Sequence, residues 1–158
     1  VAAKTRETVN FVVPQDNGMH YLDRVETDWA FRVQLPRGSN VPFHCTASGK
    51  IFMSSLKKAV RISFVNRLIL KGETSNTITE KDRLLEELAL TRKRGFALDN
   101  EEFMDGMVAI SVTVLDCKKR FVGALATHGP KSRMPYEQLL KYREILAEGA
   151  AQISKAMF

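Results

Sequence analysis

"MVAISVTVLDCKKRFVGALATH", residues 107–128, is two runs that alternate with a period of two around a short basic turn, "CKKR" at 117–120. On the first run Val108, Ile110, Val112 and Val114 share one face, and Ala109, Ser111 and Thr113 share the other. On the second, Phe121 and Leu125 fall opposite Val122, Ala124, Ala126 and His128. Successive side chains of a strand point to opposite sides, so the stretch predicts an antiparallel pair with one bulky apolar face and one small-residue face carrying a few polar groups. Small residues there have two explanations: a helix packs closely, or a small ligand finds room and polar partners. The alternation leaves both open.

Outward from this pair, "VNFVVP" and "MHYLDRVE" read as two more strands with Asn17-Gly18 favouring a tight turn. "WAFRVQL" reads as a third, with Trp29, Phe31, Val33 and Leu35 on one face and Ala30, Arg32 and Gln34 on the other. A helix is expected from about Thr46 to Leu56 and a second from Lys58 to Leu70. A third opens on a Thr79/Asp82 capping pair and ends near Arg94, where "RKRG" places cations and Gly95 at a helix C-terminus. "FALDNEEFMDGM" is acidic and broken by Gly106. The last helix opens at Pro135 and carries Leu139, Arg143, Leu146, Ala150, Ile153 and Met157 at helical spacing. Residues 1–8 read as the tail of a helix. The order predicts a mixed α/β (α+β) domain around a mainly antiparallel sheet.

A chain of 158 residues with 44% hydrophobic and 27% charged residues has the size and composition of one globular domain. No apolar run spans a bilayer and no secretory leader is visible, so the expected setting is the cytoplasm, without membrane partners. Two cysteines, Cys45 and Cys117, are too few for a disulfide framework. The net charge of +6 comes from 24 basic against 18 acidic residues. The basic clusters sit at a helix end and a turn, with no interleaved aromatics, so direct DNA binding by this chain is not expected.

"FHCTASGK", residues 43–50, has three readings. A phosphate loop fails, because the first glycine position is His44 and Ile51 follows Lys50. A Cys45 nucleophile would need a base; His44 is a sequence neighbour pointing away, and His128 oriented by Asp99 is the alternative. A metal held by His44, Cys45, His128 and Asp99 has acceptable ligand types without diagnostic spacing. The third reading is a helix start: Thr46 caps it, and the amides of Ala47, Ser48 and Gly49 face an anion that the helix dipole favours. It predicts an acidic ligand and needs no cofactor.

"HCTASGKIF", "LALTRKRGFALDNEEFMDGMVAISVTVLD" and "FVGALATHGPKSRM", in this order and spacing, resemble the C-terminal effector-binding domain of IclR-type bacterial transcriptional regulators. Weaker likeness extends through "YLDRVE" to the N-terminus. The resemblance implies a GAF/profilin-like fold, a curved antiparallel sheet flanked by helices, that binds a small organic acid and forms homodimers or homotetramers. It implies that residues 1–158 are a single ligand-sensing domain, with Val1–Glu7 the end of a linker helix. A winged helix-turn-helix absent from this chain would make the DNA contacts. Carried over position by position, the effector contacts fall on Ala47, Ser48, Asp99, Ala109, Ala126 and His128. Thr46 and Gly49 join them from the helix start, and Ser111 from the small face of the strand pair. In some members the positions of Ala109, Ala126 and His128 hold Cys, Ser and Ser, a departure that leaves the effector's identity open. The alternative function is a small Cys/His-dependent hydrolase or metal-dependent enzyme using Cys45 or His128.

Overall fold

In the computed structural model, which describes every residue except Gln34, Pro36, Arg37 and Ser39, eleven elements follow one another. They are α1 (Ala2–Thr5), β1 (Thr8–Gln15), β2 (Gly18–Val25), β3 (Asn40–Val41), α2 (Ala47–Ser55), α3 (Lys58–Arg67), α4 (Lys81–Arg94), β4 (Ala97–Asn100), β5 (Met107–Leu115), β6 (Phe121–Pro130) and α5 (Tyr136–Met157). Six strands among the described residues make one sheet in the order β3-β2-β1-β6-β5-β4. Every neighbouring pair is antiparallel. The expected architecture, a curved antiparallel sheet flanked by helices, is the one observed.

The alternation on β5 sorts the two layers. Val108, Ile110, Val112 and Val114 meet Leu139, Tyr142, Leu146 and Ala150 of α5 in one core. Met107 and Ala109 turn to the other face, where Ala47, Ile51 and Met53 of α2 pack together with Leu84 and Leu88 of α4. The small face therefore does admit a closely packed helix. On β6 the faces shift: a register irregularity between Val114 and Leu115 pairs Leu115 with Phe121. Phe121 thus joins the α2 side, 5.4 Å from Phe52, and Val122 the α5 side, the reverse of the sequence reading.

Other expectations change as well. The described residues of "WAFRVQL" form no strand; the short β3 pairs with Met19 and His20 of β2 instead. Its alternating apolar residues serve other contacts: Trp29 sits beside guanidinium groups, Phe31 is 72% exposed and Leu35 is buried; Gln34 lies outside the described residues. "FALDN" contains β4, which pairs Asp99 with Ala109. The α4 N-cap is Glu80 without a side-chain cap, so the Thr79/Asp82 pair does not form. At its other end Gly95 takes the left-handed conformation (φ 83°) and bonds back to Thr91, as "RKRG" predicts. α1 is shorter than read, since β1 begins at Thr8, and α3 stops at Arg67. The β1–β2 turn is centred on Asp16-Asn17, because Gln15 pairs with Gly18. No described helix is long and apolar enough to cross a membrane.

Gly49 decides where α2 can lie. A Cβ at this position would stand 2.2 Å from the Phe43 carbonyl oxygen. Gly49→Ala is expected to destabilise the domain by about 1–3 kcal/mol through the forced backbone shift, despite alanine's higher helix propensity. Urea unfolding checks this, and an unchanged midpoint would show that the 43–49 turn yields freely.

Candidate functional site

The start of α2 is built as the sequence reads. Thr46 is its N-cap; the hydroxyl accepts from the Gly49 amide at 3.1 Å and donates to the Pro42 carbonyl at 2.7 Å. This cap consumes the Gly49 amide, which is therefore no anion donor. The Ala47 and Ser48 amides have no acceptor among the described residues, as the first turn of a helix requires. The Ser48 side chain is 4% exposed, and its hydroxyl has no hydrogen-bond partner among the described residues.

Ser48 faces a cavity of about 20 Å³ together with Thr46, Ala47, Asp99, Ala109, Ala126 and His128. Sheet order brings them together: Ala109 pairs with both Asp99 and His128. Gly49 and Ser111 are outside the lining; the Ser111 hydroxyl donates to the Leu125 carbonyl at 3.3 Å. Asn10, Tyr21, Leu35, Phe103 and Met107 complete the walls and were not singled out in the sequence. Asn10, a lone amide inside the apolar run "VNFVVP", was the one available signal. The space suits about one water, so an organic ligand needs a wall to move.

Burial pushes the Asp99 carboxyl up to about 7, against the amides of Glu102 and Phe103, which favour its charged form. The Glu102 amide donates to Asp99 Oδ1 at 2.8 Å. Asp99 can therefore both accept and donate near neutral pH. Beside this loop the buried Lys50 ammonium meets both Glu102 oxygens at 2.9 and 3.0 Å and Glu87 at 3.5 Å, tying α2 to the segment after β4 and to α4.

On the opposite wall Arg24 Nε donates to Asn10 Oδ1 at 2.8 Å, which orients the amide so that Asn10 Nδ2 donates to His128 Nδ1 at 3.0 Å. His128 Nε2 then carries the proton and donates to the Val33 carbonyl at 3.2 Å. Burial lowers this imidazole to about 4. His128 is thus a neutral wall with both nitrogens occupied, and in this arrangement it does not receive a ligand oxygen as a cation would.

The contacts of the enzyme reading differ from what it needs. Cys45 is fully buried, and burial followed by the charge of Asp99 pushes its thiol far up, away from the thiolate that attacks. His44 Nε2 is bonded to the Lys71 carbonyl at 2.8 Å. No group of three or more His, Cys, Asp or Glu side chains fit to hold a metal forms among the described residues. Both cysteines are free.

The family model "Bacterial transcriptional regulator IclR C-terminal" matches residues 1–155. The chain is 39% identical over 152 residues to the probable transcriptional regulator SauR of Cupriavidus necator, covering 96% of this chain and 60% of that protein. It is 28% identical to the transcriptional repressor IclR of Escherichia coli, covering 95% of this chain and 56% of the repressor. The chain thus spans a little over half the length of these relatives. The inducer-binding domain of the PobR transcription factor from Acinetobacter, solved as a double mutant with 3-hydroxybenzoic acid, superposes with a TM-score of 0.88 at 27% identity, covering 97% of this chain and 90% of that one. A six-stranded antiparallel sheet, a capped helix facing a small cavity and these matches agree: the chain belongs to the IclR family of bacterial transcriptional regulators, as its C-terminal domain.

Proposed function

We propose that residues 1–158 form a single effector-binding domain of a cytoplasmic regulator, which takes a small hydroxy or keto acid between α2 and the β5–β6 pair. The observation that carries this is Ser48: a buried residue whose hydroxyl has no partner among the described residues, beside two open amides at a helix start and in one cavity with Asp99. A carboxylate oxygen would be bound by the Ala47 and Ser48 amides and the Ser48 hydroxyl, where the helix dipole favours negative charge. The far end of the ligand meets Asp99, which repels a second carboxylate and suits a hydroxyl or a carbonyl bridged by its proton. The 3-hydroxybenzoic acid bound by the PobR domain is an acid of this kind. DNA would be contacted by an N-terminal domain outside this chain. The regulator would act as a homodimer or homotetramer whose subunit arrangement shifts with the ligand's preference for one state.

A thermal-shift screen of 3-hydroxybenzoate and two- to four-carbon hydroxy and keto acids tests this. An acid at one hundred times its dissociation constant stabilises the fold by about 2.7 kcal/mol. Ser48→Leu fills the helix start and is expected to abolish the shift while the variant remains folded. Shifts from neutral or cationic compounds alone, or an unchanged response of Ser48→Leu, would place the site elsewhere.

A further inference from the structure

The described residues Thr27–Val33 and Leu35 touch two places at once. At one end it closes the cavity: Leu35 lines it, the Val33 carbonyl accepts from His128 Nε2 at 3.2 Å, and the Leu35 carbonyl accepts from Arg24 Nη1. The other walls belong to α2 and the paired strands, or to the 101–106 loop that the Lys50 ammonium and the Thr74 and Thr77 hydroxyls hold in place. Among the described residues Leu35 lies on a wall outside the strands, tied to the sheet by the Arg24 guanidinium at its carbonyl.

At its other end the same segment grips the chain between α1 and β1. The Thr27 hydroxyl donates to the Arg6 carbonyl at 2.7 Å, and the Thr27 amide donates to Thr8 Oγ1 at 3.2 Å. Trp29 has the Arg6 guanidinium 5.5 Å and the Arg133 guanidinium 4.9 Å from its ring, within cation–π range. Arg133 also donates to both Glu7 oxygens at 2.7 and 3.0 Å and to the Phe31 carbonyl. Arg6 itself is left-handed (φ 57°) where α1 turns into β1, a conformation that persists only while its surroundings hold it.

We propose that Thr27–Val33 and Leu35 form a latch joining the effector cavity to the N-terminal approach of the domain, so that a ligand displacing Leu35 and the Val33 carbonyl loosens the Trp29 clasp on Arg6 and Glu7 and frees α1 to reorient. The proposal rests on reading the cavity as the effector site. A cavity of about 20 Å³ cannot admit even a two-carbon acid unless a wall moves, and Leu35 is the lining residue outside the strands, α2 with its Thr46 cap, and the 101–106 loop. By linkage the two ends act reciprocally: whatever opens the cavity loosens the clasp, and a broken clasp eases opening.

The test begins without a ligand. Leu35→Ala is expected to move the emission of Trp29, the only tryptophan, to the red and to speed amide exchange at Thr5 and Arg6 by about tenfold. Trp29→Ala, at a site 42% exposed, is expected to speed exchange of the His128 Nε2 proton by a similar factor, about tenfold, read by NMR. Protection at Val112 and Leu125 should stay at the parent level in both. If each variant loosens only its own end, the latch is overturned. The parent and Trp29→Ala are then titrated with 3-hydroxybenzoate and the short hydroxy and keto acids, and binding several-fold tighter in Trp29→Ala is expected. Failure of every acid to bind the parent would sink the effector reading alone, since the ligand-free exchange data decide the latch independently.

Discussion

Lys50→Met is expected to cost the folded domain about 3–5 kcal/mol, because it strips the cation from a nearly buried carboxylate. The Lys50 side chain is 2% exposed and that of Glu102 9% exposed, with the ammonium within 3.0 Å of both Glu102 oxygens. Methionine keeps the length and the apolar stem but leaves Glu102 with only the Asn100 amide, which donates to it at 3.0 Å. Combining Lys50→Met with Glu102→Gln removes both charges and should restore most of the loss, since deleting a buried pair entirely is far cheaper than orphaning one member. Equilibrium urea unfolding of the single and double variants reads the difference. A single variant within about 1 kcal/mol of the parent would mean that water reaches the pair as it reaches surface bridges. The substitution bears on the candidate site as well. The Lys50 charge favours ionised Asp99, so its removal drives that carboxyl further toward protonation.

How far the sequence carries is visible in such pairs. The β5 alternation, the Thr46 cap and the Gly95 C-cap are local signals, each written within a few residues, and all three stand in the structure. Ala109, Ala126 and His128 were legible in the cavity because a family pattern and the alternation converge on them, whereas Ser48 came from the helix start and that pattern, and Asp99 from the pattern. Asn10, Tyr21 and Leu35 were not, since they reach the cavity only when β1 comes to lie beside β6 and β2 beside β1, a non-local pairing that no window of sequence contains. The "WAFRVQL" reading failed for a physical reason: period-two apolarity states which side chains share a direction, not what covers them. Here cations and a cavity wall cover Trp29 and Leu35 where a sheet was expected. The swapped faces of Phe121 and Val122 follow from one register irregularity, which inverts every side chain beyond it.

Asp99→Asn is expected to turn a nearly flat profile of stability against pH into a rising one, and the sign follows from two opposed groups on one cavity. Asp99 moves from 3.8 in the unfolded chain to about 7 when folded, so between these values the native state binds a proton that the unfolded state does not. Its contribution is greatest below pH 4 and is lost as pH rises to about 7, at about 1.4 kcal/mol per unit. His128 moves the other way, from 6.5 to about 4, so its contribution is full above pH 6.5 and is lost as pH falls. Between pH 4 and 6.5 the two slopes nearly cancel, and the parent should show a nearly flat profile from this wall of the core. Asp99→Asn leaves the histidine alone, and stability should then climb by on the order of 3 kcal/mol across that window. His128→Gln leaves the carboxyl alone, and stability should fall by a similar amount, on the order of 3–4 kcal/mol, toward pH 7. At pH 8, where the parent must hold a charged Asp99 in a buried site, Asp99→Asn should also be the more stable protein, by less than the full shift because its new amide needs an acceptor. Urea midpoints at four pH values for the parent and both variants decide the matter. Parallel profiles in all three would show that Asp99 and His128 are solvated in the folded chain and that the cavity stands open to water.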